Sequence, residues 1–201
     1  MRPVFIATSS PGKLRDFAAV AGEVEVQSLP GLDSLPAAVE DGATFEENAC
    51  KKAEHYSRLA PGKLVLADDS GLEVDALNGA PGVYSSRFAG ENATYDDNNL
   101  KLLTLLAGVP PEKRTARFRC VLALALGPAD VRVVEGKIEG VITDQPRGTN
   151  GFGYDPIFYI PNLKKTLAAL STAEKNQISH RGQALKKLSE LLAQLVGAST
   201  P

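Results

Sequence analysis

This sequence predicts an α/β fold built on a mixed sheet, and three observations carry the prediction. Short apolar runs beside Gly and Pro turns alternate with capped amphipathic segments, the pattern of strands joined by helices. Two long stretches of strand character, 117–126 and 131–142, flank Gly127-Pro128-Ala129-Asp130 and read as an antiparallel pair. The 201 residues are 43% hydrophobic and 23% charged, enough apolar material for one substantial core or two lobes.

Taken in order, residues 3–7 form a first strand, and Thr8-Ser9-Ser10-Pro11-Gly12-Lys13 links it to a helix with Leu14, Phe17, Ala18 and Ala21 as its apolar stripe. Ser10 suits the N-cap and Pro11 the first helical position, where a missing N–H costs nothing. Residues 23–28 alternate as a second strand, and 29–42 form a loop carrying Glu40 and Asp41. Thr44-Phe45-Glu46-Glu47 is a capping box. It opens a helix to about Leu59, with Phe45, Ala49, Ala53 and Tyr56 on one face and Lys51-Lys52 partly on another.

Leu64-Val65-Leu66-Ala67 is a buried strand ending in Asp68-Asp69, and 72–77 alternates as a further strand. Asn78-Gly79-Ala80-Pro81-Gly82 is a turn leading to Tyr84, Arg87 and Phe88. Thr94 caps a helix with Leu100, Leu103 and Leu106 inside. After the long pair, a glycine-rich segment, 146–156, precedes the short strand Ile157-Phe158-Tyr159-Ile160. A late helix begins near Thr172 and is broken by Ser179-His180-Arg181-Gly182. The last helix carries Leu185, Leu188, Leu192 and Leu195 to a frayed tail.

Charge and composition exclude several classes. With 22 Lys and Arg against 24 Asp and Glu, the formal charge of −2 gives no footprint for a long polyanion, so no nucleic-acid polymer is expected as a partner. Residues 4–7 are too short for a signal-peptide core, no stretch approaches a membrane span, and a cytoplasmic protein is expected. Cys50 and Cys120 lack metal or redox spacing and are expected to be buried reduced thiols.

The chemistry concentrates where Asp68-Asp69 meets Ser70-Gly71, since open α/β sheets place ligands at strand exits. Adjacent carboxylates resist burial, so a cation, hydrogen bonds or bulk water must satisfy them; a solvated Asp-Ser-Gly turn is the plainer alternative. Glu40 with Asp69 suits Mg²⁺, which takes one or two carboxylates and fills its other positions with water and phosphate oxygens. A neighbouring carboxylate could then accept a proton from attacking water.

The Thr8 to Lys13 loop offers hydroxyls, a lysine and amides at a helix N-terminus, which suits a phosphate chain, although it lacks the ending of a Walker loop. Gly151-Phe152-Gly153-Tyr154-Asp155-Pro156 sets aromatic rings among glycines, so backbone can approach a flat ligand on which a ring stacks. Lys175, His180 and Arg181 supply donors for keto oxygen and ring nitrogen. His55 reads as a helix-surface residue.

In this order the segments resemble the inosine triphosphate pyrophosphatase, or Ham1-like, family. The resemblance covers nearly the whole chain. It is carried by Thr44-Phe45-Glu46-Glu47-Asn48-Ala49, Ala67-Asp68-Asp69-Ser70-Gly71-Leu72, Gly79-Ala80-Pro81-Gly82-Val83-Tyr84-Ser85, the Gly151 to Pro156 segment and Ser179-His180-Arg181-Gly182-Gln183-Ala184. It implies a single domain over 1–201, with an elongated mixed sheet flanked by helices and two lobes around an active-site cleft. It also implies a homodimer that hydrolyses ITP, dITP and XTP to the monophosphate and pyrophosphate, with Mg²⁺ as cofactor.

By that resemblance Asp69 is proton acceptor and metal ligand, and Glu40 is the other ligand. Thr8, Ser9, Ser10, Pro11, Gly12, Lys13 and Ser70 hold phosphates, while Phe152, Gly153, Tyr154, Asp155, Lys175, His180 and Arg181 surround the nucleotide. Asp68 supports the same site. Ser10 departs from the family's usual asparagine and reaches less far, and Ser86 stands where alanine is common. The alternatives are a Maf-like pyrimidine triphosphate pyrophosphatase and a nucleotide-binding regulator without chemistry. The C-terminal aromatic and basic motifs speak against the first, and intact Glu40, Asp68 and Asp69 against the second.

Overall fold

The computed structural model describes residues 3–20, 25–127 and 129–197. Seven strands form one mixed sheet in the order β2-β1-β3-β4-β5-β6-β7. β1 (Val4–Ile6) pairs in parallel with β2 (Val26–Ser28) and with β3 (Leu64–Val74). β4 (Thr115–Gly127) and β5 (Asp130–Ile142) are the two long strands, and β5, β6 (Phe158–Ile160) and β7 (Lys165–Thr166) pair antiparallel. The helices are α1 (Pro11–Val20), α2 (Phe45–Leu59), α3 (Tyr95–Leu105), α4 (Thr172–Ile178) and α5 (His180–Gly197).

The described residues fall into two compact units, and β3, β4 and β5 each contribute to both. The first unit takes the chain through Asp69, the segment Cys120–Gly136 and the chain from Ser179 onward. Its core joins Val4, Ile6 and Leu66 with Leu122 and Leu124, covered by Phe17 of α1 and Leu185, Leu188 and Leu192 of α5. The spacing of those leucines puts them on one helical stripe, as their sequence pattern predicts. Leu195 packs against the same core at its edge. Gly136 admits α5 closely, because a Cβ there would lie 2.1 Å from the His180 carbonyl oxygen.

The second unit, Ser70–Arg119 with Lys137–Ile178, has its own core of Leu72, Val74, Leu102, Leu106, Phe118, Tyr154, Ile157, Phe158 and Leu167. Phe118 and Phe158 meet with ring centroids 4.7 Å apart.

Several local expectations are corrected. β3 does not end at Ala67: it runs on through both aspartates to Val74, because Leu72 and Val74 continue the burial that Val65 and Ala67 begin. Residues 75–77 are a 3-10 turn, with Asn78 left-handed after it at φ 53°. On α3, Leu100 is 67% exposed and Leu102 fully buried, so the inward face runs through Asn98, Asn99, Leu102 and Leu106. Cys50 is only half-buried, while Cys120 is buried, and neither forms a disulfide. His55 Nε2 donates to the Pro36 carbonyl oxygen at 2.8 Å. Ala21, Glu23, Val24, Pro128 and the tail beyond 197 lie outside the described residues, as does the Ala18 side chain.

Candidate active site

Because side chains alternate along a strand, the adjacent aspartates face opposite sides of the sheet. Asp68 shares the side of Leu66, which α1 and α5 cover, and Asp69 shares the side of Val65 and Ala67. The pair therefore splits into two charge clusters.

On the first side, Lys13 Nζ lies 2.7 Å from Asp68 Oδ2, and the aspartate is 1% exposed. Ser10 starts α1: its carbonyl accepts the Leu14 N–H at 3.0 Å and its hydroxyl lies 3.5 Å from the Lys13 N–H. One helical turn beyond Lys13, Asp16 accepts a bond of 3.1 Å from Arg181 Nη1, both groups being buried. Burial pushes the Asp68 carboxyl up, but Lys13, Lys52 and Arg181 outweigh it and hold the group below the usual carboxylate range. His180 is 1% exposed at the start of α5, where the Ser179 hydroxyl accepts the Gly182 N–H at 3.1 Å.

On the other side, Lys52 of α2 sends its ammonium 3.0 Å from Glu40 Oε2 and 3.5 Å from Asp69 Oδ1. Thr44 caps that helix by accepting the Glu47 N–H at 3.1 Å. Asn48 Oδ1 accepts the Gly42 N–H at 2.8 Å, which ties the acidic loop to α2. Burial raises the Asp69 carboxyl, with Asp68 and Glu40 adding to the rise and Lys52 and Lys13 opposing it. Burial lowers the Lys52 ammonium, yet Asp68, Asp69 and Glu40 win and leave it raised. A raised carboxylate opposite a firmly charged ammonium is suited to taking a proton.

Asp69 Oδ2 is buried and has no hydrogen-bond partner. An orphaned anionic oxygen beside a second carboxylate fits a cation that enters with its own ligands. Among the described residues no three His, Cys, Asp or Glu side chains stand together as a metal cage, so such an ion would complete its shell with water and substrate oxygens.

In the second unit, Lys175 Nζ donates to Asp155 Oδ2 at 2.8 Å, both groups almost fully buried. The same oxygen accepts the Phe152 N–H at 2.9 Å, and Lys175 Nζ stands 5.0 Å from the centre of the Phe152 ring. Gly151 has φ +78°, and a Cβ there would come 2.1 Å from Asp155 Oδ2. From α3, Tyr95 sets its ring 6.0 Å from that of Phe152 and Asn99 donates to the Gly153 carbonyl at 3.1 Å. Tyr154 is different. Its ring is in the core and its hydroxyl donates to the Ser85 carbonyl at 2.8 Å, with burial raising the phenol well above its usual range. Of the two rings, only that of half-buried Phe152 is placed to stack on a ligand.

The family model described as the Ham1 family matches residues 4–191. The chain belongs to the Ham1 family. It is 53% identical over 196 residues to the dITP/XTP pyrophosphatase of Bacillus licheniformis, covering 96% of this chain and 100% of that one. The Bacillus subtilis dITP/XTP pyrophosphatase is 48% identical over 194 residues, with 96% and 98% covered. A HAM1 protein structure from Coxiella burnetii superposes with a TM-score of 0.87 at 44% identity, covering 96% of this chain and all of that one. The Staphylococcus aureus Ham1 structure gives 0.85 at 44% identity, with 96% and 99% covered.

Within this Ham1 chain the structure brings together Lys13 with Asp68, and Glu40 with Asp69, as two clusters in the first unit. It gathers Phe152, Gly153, Asp155 and Lys175 in the second. Thr8 accepts the Ser10 N–H at 3.3 Å, while Ser9 and Pro11 are exposed and Gly12 is buried. Ser70 is half-buried directly after Asp69. Sequence reasoning set Lys52 partly on a face apart from Phe45, Ala49, Ala53 and Tyr56, whereas it is buried, and it overlooked Asp16. Lys52 is three residues after Ala49 and four before Tyr56, so it belongs to the buried stripe, and Asp16 follows Lys13 by three. Both signals were in the helical period.

Proposed function

We propose that this chain hydrolyses deaminated purine nucleoside triphosphates (ITP, dITP and XTP) to the monophosphate and pyrophosphate, clearing them from the nucleotide pool before they enter DNA or RNA. One observation carries the reading: relatives that cover nearly the whole chain at about half identity bear the name dITP/XTP pyrophosphatase. The site chemistry supports it. Asp69 is the base: its raised carboxyl suits it to take a proton from water. The water oxygen bonds to the α-phosphorus, and the bridging oxygen leaves with pyrophosphate.

Mg²⁺ is the ion we assign to Glu40 and Asp69, where it would neutralise phosphate charge. Lys13, held by Asp68, and the Thr8 to Gly12 segment with Ser70 take the phosphate oxygens, since a helix N-terminus and an ammonium both favour anions. Phe152 stacks on the base, with Gly153, Tyr154 and Asp155 lining its approach through the backbone. Lys175, His180 and Arg181 donate toward the 6-keto oxygen, which adenine replaces with an amino group. A donor left facing an amino group has no partner, and that asymmetry selects the keto base.

Among the described residues no helix is long and apolar enough to cross a membrane. The reading carries with it a cytoplasmic location and a homodimer, the second of which light scattering on the purified chain checks. The activity test is incubation with Mg²⁺ and ITP, dITP, XTP, GTP, ATP or dTTP, separating pyrophosphate from orthophosphate. Pyrophosphate from ITP, dITP and XTP is expected. Orthophosphate release, or preference for ATP or dTTP, would overturn the assignment, the last result favouring the pyrimidine alternative.

A further inference from the structure

Resting on the assignment of Glu40 and Asp69 as metal ligands, we propose that Lys52 is a resident counter-cation that withholds them from a divalent ion until a nucleotide delivers one. Lys52 is 8% exposed, and its ammonium spans Glu40 at 3.0 Å and Asp69 at 3.5 Å. An ammonium this close already compensates the charge of both carboxylates, and a divalent ion on the same pair would stand beside it. Ion and ammonium oppose each other by charge.

The surroundings hold Lys52 in place. Ala49, about one turn before it on α2, and Ala53, directly after it, are fully buried, so the helix cannot slide to move its lysine. The opposing loop is pinned as well: Asn48 takes the Gly42 N–H, and Lys51 Nζ pairs with Asp41 at 2.6 Å. Glu40 therefore stays beside α2, and only the flexible lysine stem is free to yield. Withdrawing its ammonium from two carboxylates is unfavourable unless another anion receives it. The triphosphate is such an anion, and it also supplies the oxygens that complete the ion's shell. Ion and nucleotide thus enter together, and the carboxylates stay paired in between.

The probe is Mn²⁺ titrated into the full chain without nucleotide, with free ion read by electron paramagnetic resonance. Lys52→Met is expected to bind Mn²⁺ at least about tenfold more tightly than the unsubstituted chain, and its melting temperature to rise more on adding Mn²⁺. Lys52→Arg, which keeps the charge, is expected to bind as weakly as the unsubstituted chain. Unchanged or weaker binding by Lys52→Met, or tighter binding by Lys52→Arg, would overturn the proposal. Adding Glu40→Gln to Lys52→Met separates the two ideas: loss of the gained affinity supports both. Gained affinity that survives Glu40→Gln and Asp69→Asn places the ion elsewhere and sinks the ligand assignment itself. If Lys52→Met gains nothing while Glu40→Gln weakens Mn²⁺ binding with an α,β-imido analogue of ITP present, the ligands stand and only the role of Lys52 fails.

Discussion

Asp68→Asn tests whether that residue works through Lys13 or on the reacting water. The substitution keeps shape and removes the charge that Lys13 meets at 2.7 Å, in a site where the aspartate is 1% exposed. Breaking a buried pair by removing one partner costs about 3–5 kcal/mol. Lys13 is 19% exposed, so water recovers part of its solvation and a loss of about 2 kcal/mol is expected. For a chain of this size that is a fall of about 4–8 °C in melting temperature, read by calorimetry.

The pH dependence has a definite sign. Asp68 is held below the usual carboxylate range, so its stabilisation is present above the unfolded value of about 3.9 and is lost as pH falls through the folded value. The gap between the two proteins should be constant near neutrality and close in acid. In steady-state kinetics with ITP, KM should rise about tenfold, the scale of one loosened charged hydrogen bond, while kcat falls less. A kcat collapsed a thousandfold at unchanged KM and melting temperature would refute the reasoning, because Asp68 would then act on the chemistry and not on Lys13.

Asp69→Asn should lower kcat by about 10²–10⁴, the scale of a lost general base, with nucleotide binding by calorimetry largely kept. Because burial raises the Asp69 carboxyl, its ionised form opposes folding as pH rises from the unfolded value through the folded one, so the variant should melt no lower than the unsubstituted chain at pH 7. Gly151→Ala places a Cβ against Asp155 at a positive φ and should cost at least about 1 kcal/mol in urea unfolding while raising KM for ITP. Tyr154→Phe should cost about 1 kcal/mol through the bond to Ser85 without changing kcat, and an ultraviolet titration should show one phenol resisting ionisation beyond the others. Leu102→Ala should cost about 2–5 kcal/mol and Leu100→Ala under about 0.5, since only the first is buried.

Much of the scaffold was legible along the chain because its signals are local. Ser10 with Pro11 marks the start of α1 and Thr44 with Glu47 that of α2, since a cap acts over three or four residues. Leu185, Leu188 and Leu192 repeat with the helix period and lie buried together for that reason. Errors appeared where tertiary packing chose among locally equivalent options. α3 offers apolar residues on more than one face, and only the core around Phe158 selects Leu102 over Leu100. β3 reads as broken at its aspartates because charge ordinarily ends a buried strand. Lys13 and Lys52 come from distant helices to neutralise them, and the strand continues.

By itself the sequence determined the elements, the family pattern and most of the residues that bear the chemistry, because each of these is written in short-range spacing. The tertiary structure alone decided what each charge faces. Strand alternation separated Asp68 from Asp69, sending one to the ammonium of Lys13 and the other to Lys52 and Glu40. It is burial and the sign of those neighbours that hold one carboxyl low and push the other up, and no spacing between two adjacent residues contains that difference.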